Sequence, residues 1–406
     1  MNVPRRALLL IVLMTVAQLP VALRQLLVVL LGHQNTGSFA TAGVASAGCG
    51  IGLALTAPLA GRLLGRLGAR PVLLATGLAH LLALLGLAVT TEPVAFVALA
   101  TAAGLSTPPA VGSGRSHLAR IVPTPVLSRA YAVNAVGQEV LYVGGPLAVT
   151  LSLLISGPTA ALVAFAVIGT AGLVGMAAVL PPREVDRRPA EKRSALPGRA
   201  TRRTIVGTHL GYMTGIGAMW VLVPAFATTV GHPDQAGLLV TIWSVGSLAG
   251  GLLLARRGRP GTPGGAYLTL VGMLAATSLA LLLPRSVPQM AVALALFGLA
   301  LAPFLAVTDE ILARSTPAPH LAETYGWLQT AGQLGIAVGS ATSGVVNDHL
   351  GNTPAFLVVS AALALALVVA LSRRGTLRLP SPPPPAETVA PAVSAGGRGF
   401  VNGDAG

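Results

Sequence analysis

Twelve apolar stretches, each close to the length of a membrane-crossing helix, constrain this chain more than any other feature. They cover residues 8–31, 39–60, 71–90, 93–114, 126–155 and 158–180, then 204–229, 235–255, 266–283, 287–308, 321–347 and 353–372. At a rise of about 1.5 Å per residue, roughly 20 apolar residues span the hydrocarbon core of a bilayer. A mean hydropathy of +0.76 with 9% charged residues excludes an ordinary soluble domain, in which about a quarter of residues are charged. The reading is an all-α membrane protein with twelve transmembrane helices.

Charge placement orients it. With the N-terminus in the cytoplasm, alternate connections become cytoplasmic, and only Arg24 and Arg285 of the 26 Lys and Arg residues fall elsewhere. That obeys the positive-inside rule. A multi-pass protein of the plasma (inner) membrane is expected, with both termini cytoplasmic. The net charge of +14 sits in short loops without aromatic interleaving, so nucleic acid is not an expected partner; anionic lipid headgroups are. Arg5 and Arg6 before an apolar run imitate a signal peptide. The run exceeds the roughly 7–15 residues of a signal core, so it is taken as an uncleaved first helix.

Several chemistries are not expected. Cys49 is the single cysteine and the seven histidines lack ligand spacing, so neither an internal disulfide, a metal nor a cofactor is anticipated. No G-x-x-x-x-G-K-[ST] run occurs, which removes ATP hydrolysis within this chain and leaves gradients as the drive. No catalytic constellation appears, and the chain is read as a non-enzyme.

The chain also repeats itself. An offset of 194 carries Gly37 to Gly231, Ala42-Gly43 to Ala236-Gly237, Gly52 to Gly246, Gly104 to Gly298, Pro109 to Pro303, Tyr131 to Tyr325, Gly145 to Gly339 and Gly157 to Gly351. Six helices per half is even, so the two repeats run parallel, related by an axis along the membrane normal. The expected divisions are a first bundle, 1–180; a cytoplasmic linker, 181–203; a second bundle, 204–374; and a Pro/Gly-rich disordered tail, 375–406.

Local motifs agree. Gly61-Arg62-Leu63-Leu64-Gly65-Arg66-Leu67-Gly68-Ala69-Arg70 is similar to the loop signature G-x-L-x-D-R-x-G-R-R of the major facilitator superfamily. Gly144-Gly145-Pro146 resembles the glycine–proline signature of its exporters, and Glu323-Thr324-Tyr325-Gly326-Trp327 resembles the same region of bacterial drug-export-like members. The resemblance implies the major facilitator fold and a proton-antiporting efflux function. Gly65 departs from the pattern, standing where the family has the acid thought to help hold the cytoplasmic gate. The second-half counterpart, 255–259, also lacks an acid.

Ionisable groups inside a bilayer are expensive, so those present are informative. Glu139 falls near mid-membrane and shares a helical arc with Tyr131, Asn134, Gln138 and Tyr142. It is a candidate for protonation or for a substrate cation, against a structural ion pair. Arg24 either pairs with it or snorkels outward. A matching stripe, Tyr325, Gln329, Gln333, Ser340, Ser343 and Asn347, marks the eleventh segment. Asp309 and Glu310 end the tenth segment where Arg115 ends the fourth, a pattern of gate contacts. Pro108, Pro109, Pro146 and Pro303 are expected to interrupt helices, and corresponding interruptions in two repeats point to substrate-facing helices. His80 and His209 read as packing residues, as does any single one of Tyr212, Trp220, Phe226 and Trp243. The function expected is alternating-access transport of a small molecule by a monomer, through proton-coupled efflux. Uptake by symport and a transport-silent sensor or scaffold remain open as alternatives.

Overall fold

Lipid offers no hydrogen bonds, so a spanning backbone must satisfy itself, and helices are the solution adopted throughout. The computed structural model describes residues 4–180, 199–258, 261–316 and 318–377. The expected linker and tail fall almost wholly outside these described residues. The first half comprises α1 (Arg5–Ala17), α2 (Leu19–Thr36), α3 (Phe39–Leu67), α4 (Ala69–Val89), α5 (Pro93–Leu105), α6 (Ala110–Ile121) and α7 (Thr124–Val179). The second comprises α8 (Arg199–Thr229), α9 (Ala236–Arg257), α10 (Pro263–Ala280), α11 (Val287–Gly298), α12 (Leu301–Ser315), α13 (Ala318–Leu350) and α14 (Asn352–Ser372).

Ten helical stretches among the described residues are long and apolar enough to cross a membrane. The count of twelve passes is recovered at two places. Segments five and six run together as α7, which turns back at Gly157 (φ 75°, ψ 173°). The eleventh pass, α13, has the length but carries too many Gln, Thr, Asn and His residues to rank as apolar. The architecture is all-α, with twelve transmembrane passes in two parallel six-helix repeats.

The repeat is physical. Left-handed glycines close equivalent turns, Gly37 (φ 70°) with Gly231 (φ 83°), and Gly157 with Gly351 (φ 87°). Inside the halves, Gly104 of α5 lies against the Cys49 carbonyl and Gly298 of α11 against that of Trp243. Both partners are related by the same offset of 194. Small residues let backbones meet where lipid supplies no hydrophobic drive for association. Hydroxyls along the spans fold back on their own helices, as Thr76 does to Val72 O (2.7 Å) and Thr101 to Val97 O (2.8 Å).

Three boundaries differ from expectation. The first pass breaks between α1 and α2, where Pro20 has no N–H to give the Val16 carbonyl; Gln18 Nε2 donates to Met14 O (3.0 Å) beside the break. The loop signature is mostly not a loop: Gly61, Gly65 and Arg66 lie on the last turns of α3, and Arg70 is in the first turn of α4. The connection is the single residue Gly68 (φ 83°). Third, α7 runs through Pro146 without ending. A proline this deep in a packed helix is tolerated because neighbours absorb the freed groups; the Pro146 carbonyl itself accepts from Thr150 Oγ1 (3.1 Å).

Candidate functional site

Besides a contact of α8 with α2 and α3, the two halves meet along two seams, α3 with α13 and α7 with α9. At the first, the backbone of α13 at Ser340 presses against Gly43, and the α3 backbone at Phe39 presses against Gly344. At the second, Pro146 O and Thr150 press against Gly237. Gly43 and Gly237 are equivalents under the repeat, and so are Pro146 and Ser340. The seams therefore form one contact used twice, swapped between halves by the pseudo-two-fold.

Both contacts lie toward the face remote from the chain ends. The first seam is capped there by Asp348, near the end of α13, which accepts from Ser38 Oγ (2.7 Å), Phe39 N (3.1 Å) and Ala40 N (2.8 Å). Two turns nearer the chain ends than Ser340, Gln333 Oε1 stands 3.3 Å from where a Cβ on Gly50 would sit. Beyond Gln333 the stripe opens: Gln329 and Tyr325, one and two turns on, are exposed. A stripe buried against the other half at one end and bare at the other marks the place where the halves part. Ser340 and Ser343 lie in the closed end, donating to Ala337 O (3.3 Å) and Ser340 O (3.2 Å). Asn347 Oδ1 accepts from Asn352 (3.1 Å).

Gln333 and Glu139 are themselves separated by 194. Seven residues separate Gly43 from Gly50, and seven separate Ser340 from Gln333. The same step along the second seam leads from Gly237 to Ser244 and from Pro146 to Glu139. The backbone of position 139 thus sits at the mouth of the second seam as position 333 sits at the mouth of the first. The side chains of Glu139, Tyr142 and Tyr131 lie outside the described residues. Asn134, in the same helix, is buried with neither amide atom bonded, and Gln138 Nε2 is likewise unbonded.

Arg24 is fully within the first half, 4% exposed. Its guanidinium donates to Thr107 Oγ1 (2.9 Å) and, at 3.4 Å, to Ala103 O, which also meets His80 Nδ1 at 2.8 Å. The cause is local. Pro108 and Pro109 end α5 and start α6, Thr107 N turns to Gly104 O, and the Ala103 carbonyl is left outside the helical ladder. Arg24 therefore does not snorkel. Thr15 packs against Gly137 and Leu23 against Gly145, so Arg24 lies level with Pro146, about two helical turns from Glu139. In the second half α11 and α12 part at Leu299–Ala300, four residues before Pro303, with leucine and alanine where Arg24, His80 and Thr107 would map.

At the face carrying the chain ends, Asp309 lies beside the Tyr325 hydroxyl of α13. Glu310 bonds Arg314 one turn on (2.8 Å). Arg115 is exposed on α6. The aromatic residues of the second half pack at tilted angles, with Trp220–Trp243 centroids at 5.8 Å and Tyr212–Phe304 at 4.7 Å. His209 lies beside Tyr212 and Gly332. No cluster of metal-ligating residues occurs among the described residues. Sequence reasoning named Ser340 and Pro146 but missed Asp348, Ser38, Phe39 and Thr150. Asp348 maps by the offset onto Leu154, and that departure from the repeat was the available signal.

What such an arrangement can do is hold a small solute between two bodies closed on one side. Solved structures share this fold. A single-site mutant of the nucleoside transporter NupG superposes with a TM-score of 0.74 at 14% identity, over 92% of this chain and 100% of that one. A bacterial homolog of the human lysosomal transporter Spinster, inward-facing and unoccupied, gives 0.72 at 12% identity, over 93% and 98%. An inward-facing bacterial homologue of the iron transporter ferroportin gives 0.70 at 16% identity, over 92% and 100%. No curated protein matches the sequence. The model of the Major Facilitator Superfamily matches residues 9–209 and again 205–402. With both repeats matched and nearly the whole chain covered, this protein belongs to the Major Facilitator Superfamily.

Proposed function

We propose that this member of a transporter superfamily exports small amphipathic molecules by alternating access, in exchange for protons. The observation carrying this reading is the closure of both seams toward the remote face, the first opening beyond Gln333 and position 139 standing at the equivalent level of the second. A carboxylic acid at one mouth and an amide at the other provide one titratable and one neutral polar group along the solute path. One proton moving down 100 mV supplies about 2.3 kcal/mol, which sustains roughly a fiftyfold gradient of a neutral solute. A single titrating carboxylate, Glu139, is therefore sufficient. The chain-end face is assigned to the cytoplasm of an inner-membrane protein because the basic residues gather there. The closed state is then inward-facing, and the transporting unit is the monomer. Asp309, Glu310 and Arg115 belong to the cytoplasmic gate, which closes in the opposite state.

Both the efflux direction and the amphipathic substrate class rest on the Gly144-Gly145-Pro146 resemblance. Reconstitution into vesicles loaded with a pH-sensitive dye tests both. Adding amphipathic cations, nucleosides or organic anions is expected to release protons for the first class. Proton movement with the substrate, in the same direction, would make the chain a symporter. Absence of any solute-dependent flux would leave a membrane sensor or scaffold.

A further inference from the structure

Helix α3 begins with its first-turn N–H groups pointing at the remote face, and such groups need partners from outside the helix. Ser38 Oγ accepts one of them, from Thr41 N (3.0 Å). The two preceding donors, Phe39 N and Ala40 N, go to the Asp348 carboxylate, and the Ser38 hydroxyl donates to it as well. Asp348 belongs to α13, in the other half. One helix is thus capped half by its own serine and half by the opposite body. A carboxylate at a helix N-terminus is also favoured by the helix dipole. Phe39 is held from its other side by His33, whose ring stacks on it at 3.9 Å and 9°.

The second seam has nothing comparable. The offset of 194 places Leu154 where Asp348 stands and His232 where Ser38 stands. There the halves touch through Pro146 O, Thr150 and Gly237, a close approach with no charge bridging the bodies among the described residues. Opening the remote face separates both seams, but only the first then loses charge-assisted hydrogen bonds.

We propose that Asp348 is the latch of the remote gate, a positioning residue that caps the other half's helix in the state seen here and releases it once per transport cycle. This inference rests on the alternating-access reading and adds which residue sets the equilibrium. Losing such a cap shifts an equilibrium by about fivefold.

The test is a distance measurement on the full-length chain in lipid nanodiscs. Spin labels are placed at Gln34→Cys and Leu350→Cys, both exposed at the remote face, in a Cys49→Ser background. The parent should give one predominant short distance. Asp348→Asn and Asp348→Ala should each raise a longer-distance population about fivefold, Asp348→Ala the more. Ser38→Ala, which removes one bond from the opposite side, should move it the same way by less. Asp348→Glu should keep most of the short distance. Unchanged distances in Asp348→Ala and Ser38→Ala would overturn the latch. The readout needs no substrate: a chain that opens on Asp348→Ala yet moves no solute retains the latch and loses the transport reading. A chain that transports with unmoved distances does the reverse.

Discussion

Gly43 and Gly237, 194 residues apart, each lie against a main-chain oxygen of the opposite half, Ser340 and Pro146, which are themselves 194 residues apart. Backbone-to-backbone approach of this kind tolerates no Cβ. Gly43→Val and Gly237→Val should therefore disfavour the closed remote face without touching either bundle's interior. Overpacking costs the closed state about 1–3 kcal/mol, which opening the seam relieves, so each variant should fold with a nearly unchanged melting temperature and lose most transport. Accessibility of a cysteine at Ser340 to a membrane-impermeant thiol reagent added from the remote face should rise. A melting temperature that falls while accessibility stays constant would mean the seam is ordinary core.

The shared acceptor at Ala103 makes Arg24 and His80 interdependent. Removing either leaves the other to satisfy a buried carbonyl, and removing both leaves it to the local Ser106 and Thr107 hydroxyls. Arg24→Leu and His80→Leu should each lower stability by about 1–3 kcal/mol. The double variant should fall short of the sum by about 0.5–3 kcal/mol. Thermal unfolding of the four proteins in detergent gives the cycle directly, and strict additivity would show that the carbonyl is not the common element.

Glu139 and Gln333 are repeat equivalents at the two seam mouths, and the proton-coupling role proposed for Glu139 predicts how they exchange. Glu139→Gln should abolish solute-driven proton flux while counterflow of labelled solute persists. Gln333→Glu in that background should restore part of the flux, since it returns one carboxyl to the equivalent depth. Full coupling in Glu139→Gln alone would remove the carboxyl from the mechanism.

Much of this is legible in the sequence because hydrophobic length and charge sign act locally and repeat along the chain. The twelve passes, the offset of 194 and the proline-bounded fourth pass all follow from such local rules. What escapes is set by partners distant in sequence. Asp348 reads as a charge in a short loop until Ser38, 310 residues away, is placed beside it. Arg24 reads as a partner for Glu139 or a snorkelling cation until the broken helix at Pro108 supplies a carbonyl. Pro20 hides within an apolar run whose composition barely changes across the break. The loop signature misleads in the other direction, because a motif defined by its sequence says nothing of where the helix stops. Gly68 alone makes that turn.

The break at Pro108–Pro109 supplies the final test, since it can be repaired. Pro108→Ala returns an N–H for the Gly104 carbonyl, and Pro109→Ala one for Leu105. The double substitution lets Thr107 N swing back to Ala103 O and α5 continue into α6 as one helix. Interior prolines cost about 3 kcal/mol relative to alanine. Part of that is already offset here by Arg24, Thr107 and His80, so a gain of about 1–2 kcal/mol in stability is expected. If the break is the flexing point of the moving half, the straightened helix should slow transport at saturating solute while leaving apparent affinity near its parent value. A more stable protein with an unaltered maximal rate would assign the two prolines to packing and leave the hinge to α1–α2 at Pro20.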